Sequence, residues 1–409
     1  MKVAVVARSV FPLHGYGGLE RHVYDLVRAL SDRDVEVTLI TREPAEDRSV
    51  TVHPRARVEF VPYRTFPLAG RRGTTVLDRS TAYPLFGLRA GRRALELVTA
   101  GRADIVHGLG ASVLGYARVR NRTRAPLVFN PQGLEEFGAT DPSRARLKRA
   151  AYLPLRRAVL ACAAAADAVI ATDRALEDTV LRHLKIPRER LRTIPNALDL
   201  PAIDAIADPG LAAELRRRSG LSSDELVLFS AGRLEENKGF HILLQALAAA
   251  RDHGGLDQRR WRWVCAGDGP YRPRLEALAG SLSLRDRVTF LGRIDDAEMH
   301  AWHEASTVFV HPTLYEGSSL VALEAMAHRR AVVASDAGGL PDKVRPAVNG
   351  WLVTPGDASA LAAAISGAVS DPARLERFGR EGRAIVEREF SWRAAGERTL
   401  SLYRELLGR

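Results

Sequence analysis

The sequence predicts an α/β protein of two Rossmann-like domains, each a doubly wound parallel sheet, facing each other across an interdomain cleft. Three observations carry this. At 409 residues the chain exceeds what one hydrophobic core usually organises. Short β-branched apolar runs alternate with helix-length amphipathic segments from end to end, the sequence form of βαβ units. The series also runs twice, separated by "PNALDLPAIDAIADPG" (195–210), whose Pro, Asn, Asp and Gly content marks a connector.

In the first half the expected strands are KVAVVAR (2–8), EVTLIT (36–41), RVEFVP (57–62), DIVHG (104–108), PLVFN (126–130), AVIAT (168–172) and LRTIP (191–195). In the second half they are LVLFSAG (226–232), the broken run 261–267, RVTFLG (287–292), TVFVHP (307–312), AVVASD (331–336) and GWLVTP (350–355). A last amphipathic helix, "SWRAAGERTLSLYRELL", follows the final strand and could pack on either domain. Domain bounds of 1–194 and 195–390 result, with 391–409 left over. Ligands of such sheets sit at the carboxyl ends of the strands.

Apolar content of 46% and charged content of 27% describe an ordered soluble protein. The first apolar run passes into glycine and reads as a strand instead of a signal peptide, and "AVLACAAAADAVIAT" is too short to span a bilayer. Cys162 and Cys265 lie far apart without metal-ligand spacing, which disfavours a disulfide framework or a zinc site. A cytoplasmic location is expected. The net charge of +11 is uneven: residues 1–193 hold 33 Lys+Arg against 20 Asp+Glu, the remainder 27 against 29. The excess includes "RVRNRTR" (118–124) and "RARLKRAAYLPLRR" (144–157). A solvated face in an arginine-biased chain explains this as well as an anionic acceptor, or peripheral contact with the anionic inner face of a membrane. No aromatic interleaving supports nucleic acid.

The first strand runs into "HGYGGLERHVYDLVRAL", where Gly17 and Gly18 open a helix. The dinucleotide fingerprint fails: from Gly15 and Gly17 its last place is Glu20, and the second strand closes on Thr41 and Arg42 with no acidic ribose partner. In the second half, "LVLFSAGRLEENKGFHILLQAL" runs strand, loop, helix, with Gly232 and Arg233 at the strand end and Lys238 at the helix start, a cradle for a diphosphate. In a chain that chooses arginine almost everywhere, Lys238 suggests a need for a compact ammonium. "TVFVHPTLYEGSSLVALEAMAHRR" places Glu316 on a loop, Gly317, Ser318 and Ser319 at a helix start, and Glu324 inside the helix. Eight positions is two turns plus ~80°, so the two carboxylates need not stack and address different parts of one ligand. Glu324, among Leu320, Val321, Leu323 and Met326, requires a polar partner such as ribose hydroxyls.

"GRLEENKG", "AGDGP", "FLGR", "HPTLYEGSSLVALEAMA" and "VVASDAGGLPD…NGWLVTPGD", in that order, resemble the donor domain of family-4 retaining glycosyltransferases of the GT-B fold. "GGLERHVYDLVRAL" and "IPNALD" resemble that family's first-domain glycine loop and connector, so the resemblance spans the chain. It implies a glycosyltransferase moving a sugar from a nucleotide-diphosphate sugar to an acceptor hydroxyl, with an N-terminal acceptor domain, a C-terminal donor domain and a terminal helix crossing back to the first. Arg233 and Lys238 would hold the diphosphate, Glu316 the transferred sugar and Glu324 the ribose. Backbone of Gly317, Ser318, Ser319 and Leu320 would reach phosphate and sugar, Ile294 would meet the base, and Gly17 and Gly18 would close over the diphosphate. No metal and no further cofactor is implied; the co-substrate would be a UDP- or GDP-sugar, the acceptor a small molecule, a glycan or a lipid-linked acceptor.

One departure stands out. Where many members carry a histidine, "PLVFNPQGLEEF" has Asn130, with Gln132 and Glu135 close behind as alternative acceptor contacts; Glu135 and Glu136 also read as plain surface charge. His107 reads as a packed or hydrogen-bonded histidine. An epimerase or phosphorylase of the same fold, and a non-catalytic nucleotide-sugar or membrane-binding module, stay open; the intact Arg233, Lys238, Glu316 and Glu324 weigh against the module.

Overall fold

The structure, a computed structural model, describes residues 1–15, 17–44, 51–65, 74–137, 151–253, 255–256 and 260–408. Residues 144–150, half of the basic run at 144–157, therefore lie outside the described residues, as does the side chain of Glu135. The chain divides into two units: Met1–Asn196 with Trp392–Arg409, and Ala197–Ser391.

Unit 1 is built on a seven-stranded sheet in the order β3-β2-β1-β4-β5-β6-β7. Its strands are β1 (Lys2–Val6), β2 (Glu36–Arg42), β3 (Ala56–Val61), β4 (Ile105–Leu109), β5 (Leu127–Asn130), β6 (Ala168–Ala171) and β7 (Leu191–Thr193). All the pairings are parallel. Every strand expected from the sequence is present. The central strands β4 and β5 are buried at every position, as covered parallel strands must be. The helices Thr74–Thr99 and Leu153–Ala165 supply Phe86, Ala90, Ala94, Leu97, Ala158, Val159 and Cys162 to one core. Both cysteines are free and buried, and burial pushes their thiols up.

The helix Trp392–Leu407 packs within unit 1. Its Tyr403 hydroxyl lies 2.6 Å from Nδ1 of His107 in β4, and the Trp392 ring lies 5.3 Å from that of His22 on the helix Gly18–Ser31. Arg33, just past that helix, donates to the carbonyl of Arg393 at 3.1 Å. His107 is thus a packed, hydrogen-bonded histidine.

Unit 2 carries six strands in the order β10-β9-β8-β11-β12-β13, again all parallel. They are β8 (Leu226–Ala231), β9 (Trp261–Ala266), β10 (Val288–Gly292), β11 (Val308–His311), β12 (Val332–Ser335) and β13 (Gly350–Val353). Apolar cores lie on both faces of this sheet. The buried Trp263 indole donates to Ser230 Oγ at 3.0 Å, and that hydroxyl donates to Val310 O at 2.7 Å, so the polar edge of a large core side chain is satisfied across three strands.

The order of the sheet places the site. Strand numbers descend 10-9-8 on one side and ascend 11-12-13 on the other, so the chain reverses direction between β8 and β11. Loops leaving the carboxyl ends of two such neighbours run opposite ways and leave a crevice, where doubly wound sheets take their ligands. In unit 2 those loops begin at Gly232 and Pro312.

Candidate active site

After β8 the chain turns through Gly232 (φ 155°), passes Arg233, and makes a single 3-10 turn, Glu236–Lys238, before the helix Phe240–Asp252. Gly239 joins turn to helix in the left-handed region (φ 69°), and a Cβ there would sit 1.9 Å from Pro312 O. Only glycine lets the turn lie directly on the loop after β11. Leu314 N–H donates to Asn237 O at 2.8 Å, fastening the two loops.

That contact delivers Lys238 to Glu316: Nζ and Oε2 are 2.9 Å apart, with the two side chains only 18% and 13% exposed. His311, the last residue of β11, brings Nε2 to the same oxygen, also at 2.9 Å. Oε1 accepts the Gly317 N–H at 3.1 Å. Burial works to raise the Glu316 carboxyl, but the His311 hydrogen bond and the Lys238 charge outweigh it and hold the group well below the usual carboxylate range. From the other side Gly338 (φ 55°) packs so close that a Cβ would meet Glu316 O at 1.8 Å, while Gly339 N–H donates to Gly317 O at 2.8 Å.

The helix Leu320–Ala327 starts on Ser319, whose Oγ accepts from Ala322 N at 3.4 Å and lies 3.3 Å from His311 Nε2. The helix is buried except along Leu320, Val321 and Glu324, a three-to-four-residue spacing that continues the half-open Gly317 and Ser318 along one face. Glu324 Oε2 lies 4.0 Å from Nε2 of the buried His303. Burial, then His328 and His300, drive the His303 pKa well down, so this neighbour is neutral and forms no ion pair with Glu324.

Around this core the remaining carboxyl-edge loops are laced by backbone. Gly232 N–H donates to Ala266 O at 3.0 Å, Leu234 N–H to Asp268 O at 3.0 Å and Gly267 N–H to Gly292 O at 2.7 Å. Half-buried Ile294 follows, and Asp295 caps the helix Asp296–Ala305 by accepting from Glu298 N at 2.8 Å. Of the four side chains singled out in the sequence, the fold therefore joins Lys238 and Glu316 directly. Arg233 keeps to its own loop, paired with Glu235 at 2.8 Å and 76% exposed. His311 was not singled out as a site residue; its position at the buried end of a strand two residues before a turn is the signal that could have marked it.

In unit 1, Gly17 is the N-cap and Gly18 the first residue of the helix Gly18–Ser31. Asn130 is buried at the end of β5, its Oδ1 accepting the Gln132 N–H at 3.0 Å, and this turn holds Gln132 in the left-handed region (φ 61°). Glu136, expected as surface charge, is instead buried, because the short turn Glu135–Phe137 carries Phe137 into the core.

Two parallel-sheet Rossmann-like domains, the second with a lysine and a carboxylate fixed at its switch point, define the class as a GT-B protein. Comparison with known proteins agrees: residues 16–201 match the family described as Glycosyltransferase Family 4, and residues 212–385 match Glycosyl transferases group 1. A D-inositol 3-phosphate glycosyltransferase from Xylanimonas cellulosilytica is 30% identical over 405 residues, 95% of this chain and 91% of its own length. An alpha-D-kanosaminyltransferase from Streptomyces kanamyceticus is 33% identical over 242 residues, 59% of this chain and 61% of that one. Among solved structures, sucrose-phosphate synthase from Thermosynechococcus elongatus superposes with a TM-score of 0.78 at 26% identity, covering 100% of this chain and 99% of the other. The chain belongs to the group 1 glycosyltransferases. Among the described residues, no helix is long and apolar enough to cross a membrane.

Proposed function

We propose that the chain moves a sugar from a nucleoside diphosphate sugar, UDP- or GDP-linked, to an acceptor hydroxyl, with retention and with unit 2 holding the donor. The observation that carries this is the Lys238–Glu316–His311 cluster at the switch point of the unit 2 sheet. Glycosyl transfer builds negative charge on the departing diphosphate, and a fixed ammonium beside that site lowers the barrier without reorganisation. Lys238 supplies it, and the exposed Arg233 folds in as a second cation once a diphosphate draws it from Glu235. When the diphosphate competes for Lys238, His311 and the Gly317 N–H stay on Glu316, so the carboxylate remains ionised and oriented toward the sugar. The half-open face of Leu320, Val321 and Glu324 offers the ribose its carboxylate.

The acceptor belongs to unit 1, whose charge excess suits an anionic substrate or a membrane carrying one. Relatives named for inositol 3-phosphate and sucrose-phosphate are consistent with a phosphorylated substrate or product. A donor screen reading nucleoside diphosphate release tests the assignment. Release from one class of nucleotide sugar, abolished in Lys238→Met, is the expected result; no release from any, together with no thermal stabilisation by any nucleoside diphosphate, removes the reading. Sedimentation with neutral and anionic vesicles tests membrane contact, which equal binding to both would exclude.

A further inference from the structure

The carboxyl edge of the unit 1 sheet holds an arrangement that the donor chemistry does not use. β1 and β2 pair with Val6 opposite Ile40, and Ala7 N–H donates to Ile40 O at 3.0 Å, so the same register sets Arg8 beside Arg42. Adjacent strands lie roughly 5 Å apart, and like charges in neighbouring positions repel. Both arginines are half-buried. Among the described residues no carboxylate pairs with either, and the Nε of each is a buried donor without a hydrogen-bond partner.

Each guanidinium lies instead over a tyrosine ring, Arg8 4.8 Å from the centroid of Tyr83 and Arg42 5.4 Å from that of Tyr63. Tyr63 is itself fixed by donating to Asp78 Oδ2 at 2.8 Å, from the helix Thr74–Thr99. Arg8 also hydrogen-bonds the Tyr63 hydroxyl; stacking occupies the faces of the two forks, and the buried Nε–H of each is left for a ligand. Burial and then the Arg8 charge lower the Arg42 pKa; Glu20 and Asp78 pull the other way but do not reverse it. His14 packs beside the pair with its Nε2 2.9 Å from the Arg42 backbone carbonyl, and an imidazole supplies no negative charge. Two guanidinium groups set side by side, half out of water and not neutralised, cost stability unless an anion arrives to bridge them.

We propose that Arg8 and Arg42, stacked on Tyr83 and Tyr63, form an oxyanion subsite in unit 1 that takes a phosphate group on the acceptor. Two planar forks on neighbouring strands suit the several oxygens of a tetrahedral dianion, each bond being charge-assisted. The term acceptor rests on the function proposed above; the subsite itself does not, because it binds phosphate without donor or turnover.

Calorimetric titration of the full chain with inorganic phosphate is the test, run on wild type, Arg8→Gln, Arg42→Gln and Lys238→Met. Expected is binding by wild type and by Lys238→Met, at least tenfold weaker in each arginine variant, with the unliganded arginine variants melting no lower than wild type because a like-charge contact is gone. Arg42→Lys keeps the charge without the fork and is expected to bind more weakly than wild type, which serves as the readout if a glutamine variant does not fold. Phosphate affinity unchanged in both glutamine variants, or lost only in Lys238→Met, overturns the subsite and leaves the donor reading intact. Acetate binding as tightly as phosphate overturns the phosphate assignment. Phosphate binding that follows the arginines in a protein that uses no nucleotide sugar keeps the subsite and removes the donor reading.

Discussion

Lys238→Met tests the site where stability and rate depend on the same atoms. The substitution removes the ammonium from Glu316 Oε2 and leaves that carboxylate with His311 and one backbone N–H. Exposed ion pairs contribute ~0–1 kcal/mol and breaking a fully buried pair costs ~3–5 kcal/mol. With side chains 18% and 13% exposed and one good partner remaining, the Lys238 loss falls between these limits. About 2 kcal/mol is expected, a fall in Tm of roughly 4–8 °C for a domain of this size. The rate suffers separately: losing one fixed contact to a developing charge costs ~2.7–4 kcal/mol, a factor of 10²–10³ in kcat. The two effects part company in the double variant Lys238→Met/Glu316→Gln, where no ionised carboxylate is stranded. That protein should regain most of the lost Tm while staying inactive. Thermal unfolding and nucleoside diphosphate release, measured across the four proteins of the cycle, check both. Additive destabilisation in the double variant would refute the coupling, and wild-type turnover in Lys238→Met would refute the catalytic role. The pH dependence follows from the direction of the Glu316 shift. Its stabilisation is complete above the unfolded value of about 4.3 and disappears only as pH falls through the much lower folded value. The Tm advantage of wild type over Glu316→Gln should therefore be flat from about pH 8 to 5 and shrink below about pH 4.

Arg233→Ala should leave the stability within about 0.5 kcal/mol of wild type, since the side chain is 76% exposed and pairs only within its own loop, yet should shrink the Tm rise caused by nucleoside diphosphate; an unchanged rise would take Arg233 out of the donor site. Gly239→Ala forces a Cβ to within 1.9 Å of Pro312 O at a left-handed φ, costing at least ~1–2 kcal/mol from the backbone conformation alone. Turnover should fall with Tm because Lys238 moves with the turn, and a fully active, equally stable variant would show that the two loops are not pinned together. Burial holds His22 down at about 4 and His107 at about 3, so the unfolded chain takes up protons below about pH 6.5 that the folded one refuses. Stability should rise with pH over that window and drop by about 2 kcal/mol per histidine at pH 5. His22→Phe, in circular-dichroism melts at pH 5 and 7.5, should flatten part of that drop; a wild-type Tm equal at both values would count against the buried, neutral histidines.

How legible the molecule was depended on whether a feature is written locally. KVAVVAR, AVVASD and their fellows announce strands because covered parallel strands must be nearly continuous apolar runs, and all of them form. Lys238 and Glu316 were also legible, as residue types at strand ends. Their contact was not, because 78 positions separate them and only the β8–β11 adjacency brings them together. Arg8 and Arg42 show the same limit, since their juxtaposition lies in the β1–β2 register and not in either segment. Arg233 looked like half of a converging pair, but its side chain follows solvent while its neighbours are fixed. Glu136 looked like surface charge because nothing in "GLEEF" says that the turn rolls Phe137 inward.

Unit 2 is inserted into unit 1. Its two ends lie together: Leu198 N–H donates to Phe390 O at 2.8 Å, and Leu198 bridges Ser391 in parallel. Cutting at both places would release one continuous segment with adjoining ends, a favourable geometry for expressing it alone. Unit 1 has no such single-segment form, for a fragment stopping at Asn196 forfeits the Tyr403 hydroxyl that meets His107 and the Trp392 ring beside His22. Restoring it requires a short linker from Asn196 to Trp392, or the helix added back as a peptide.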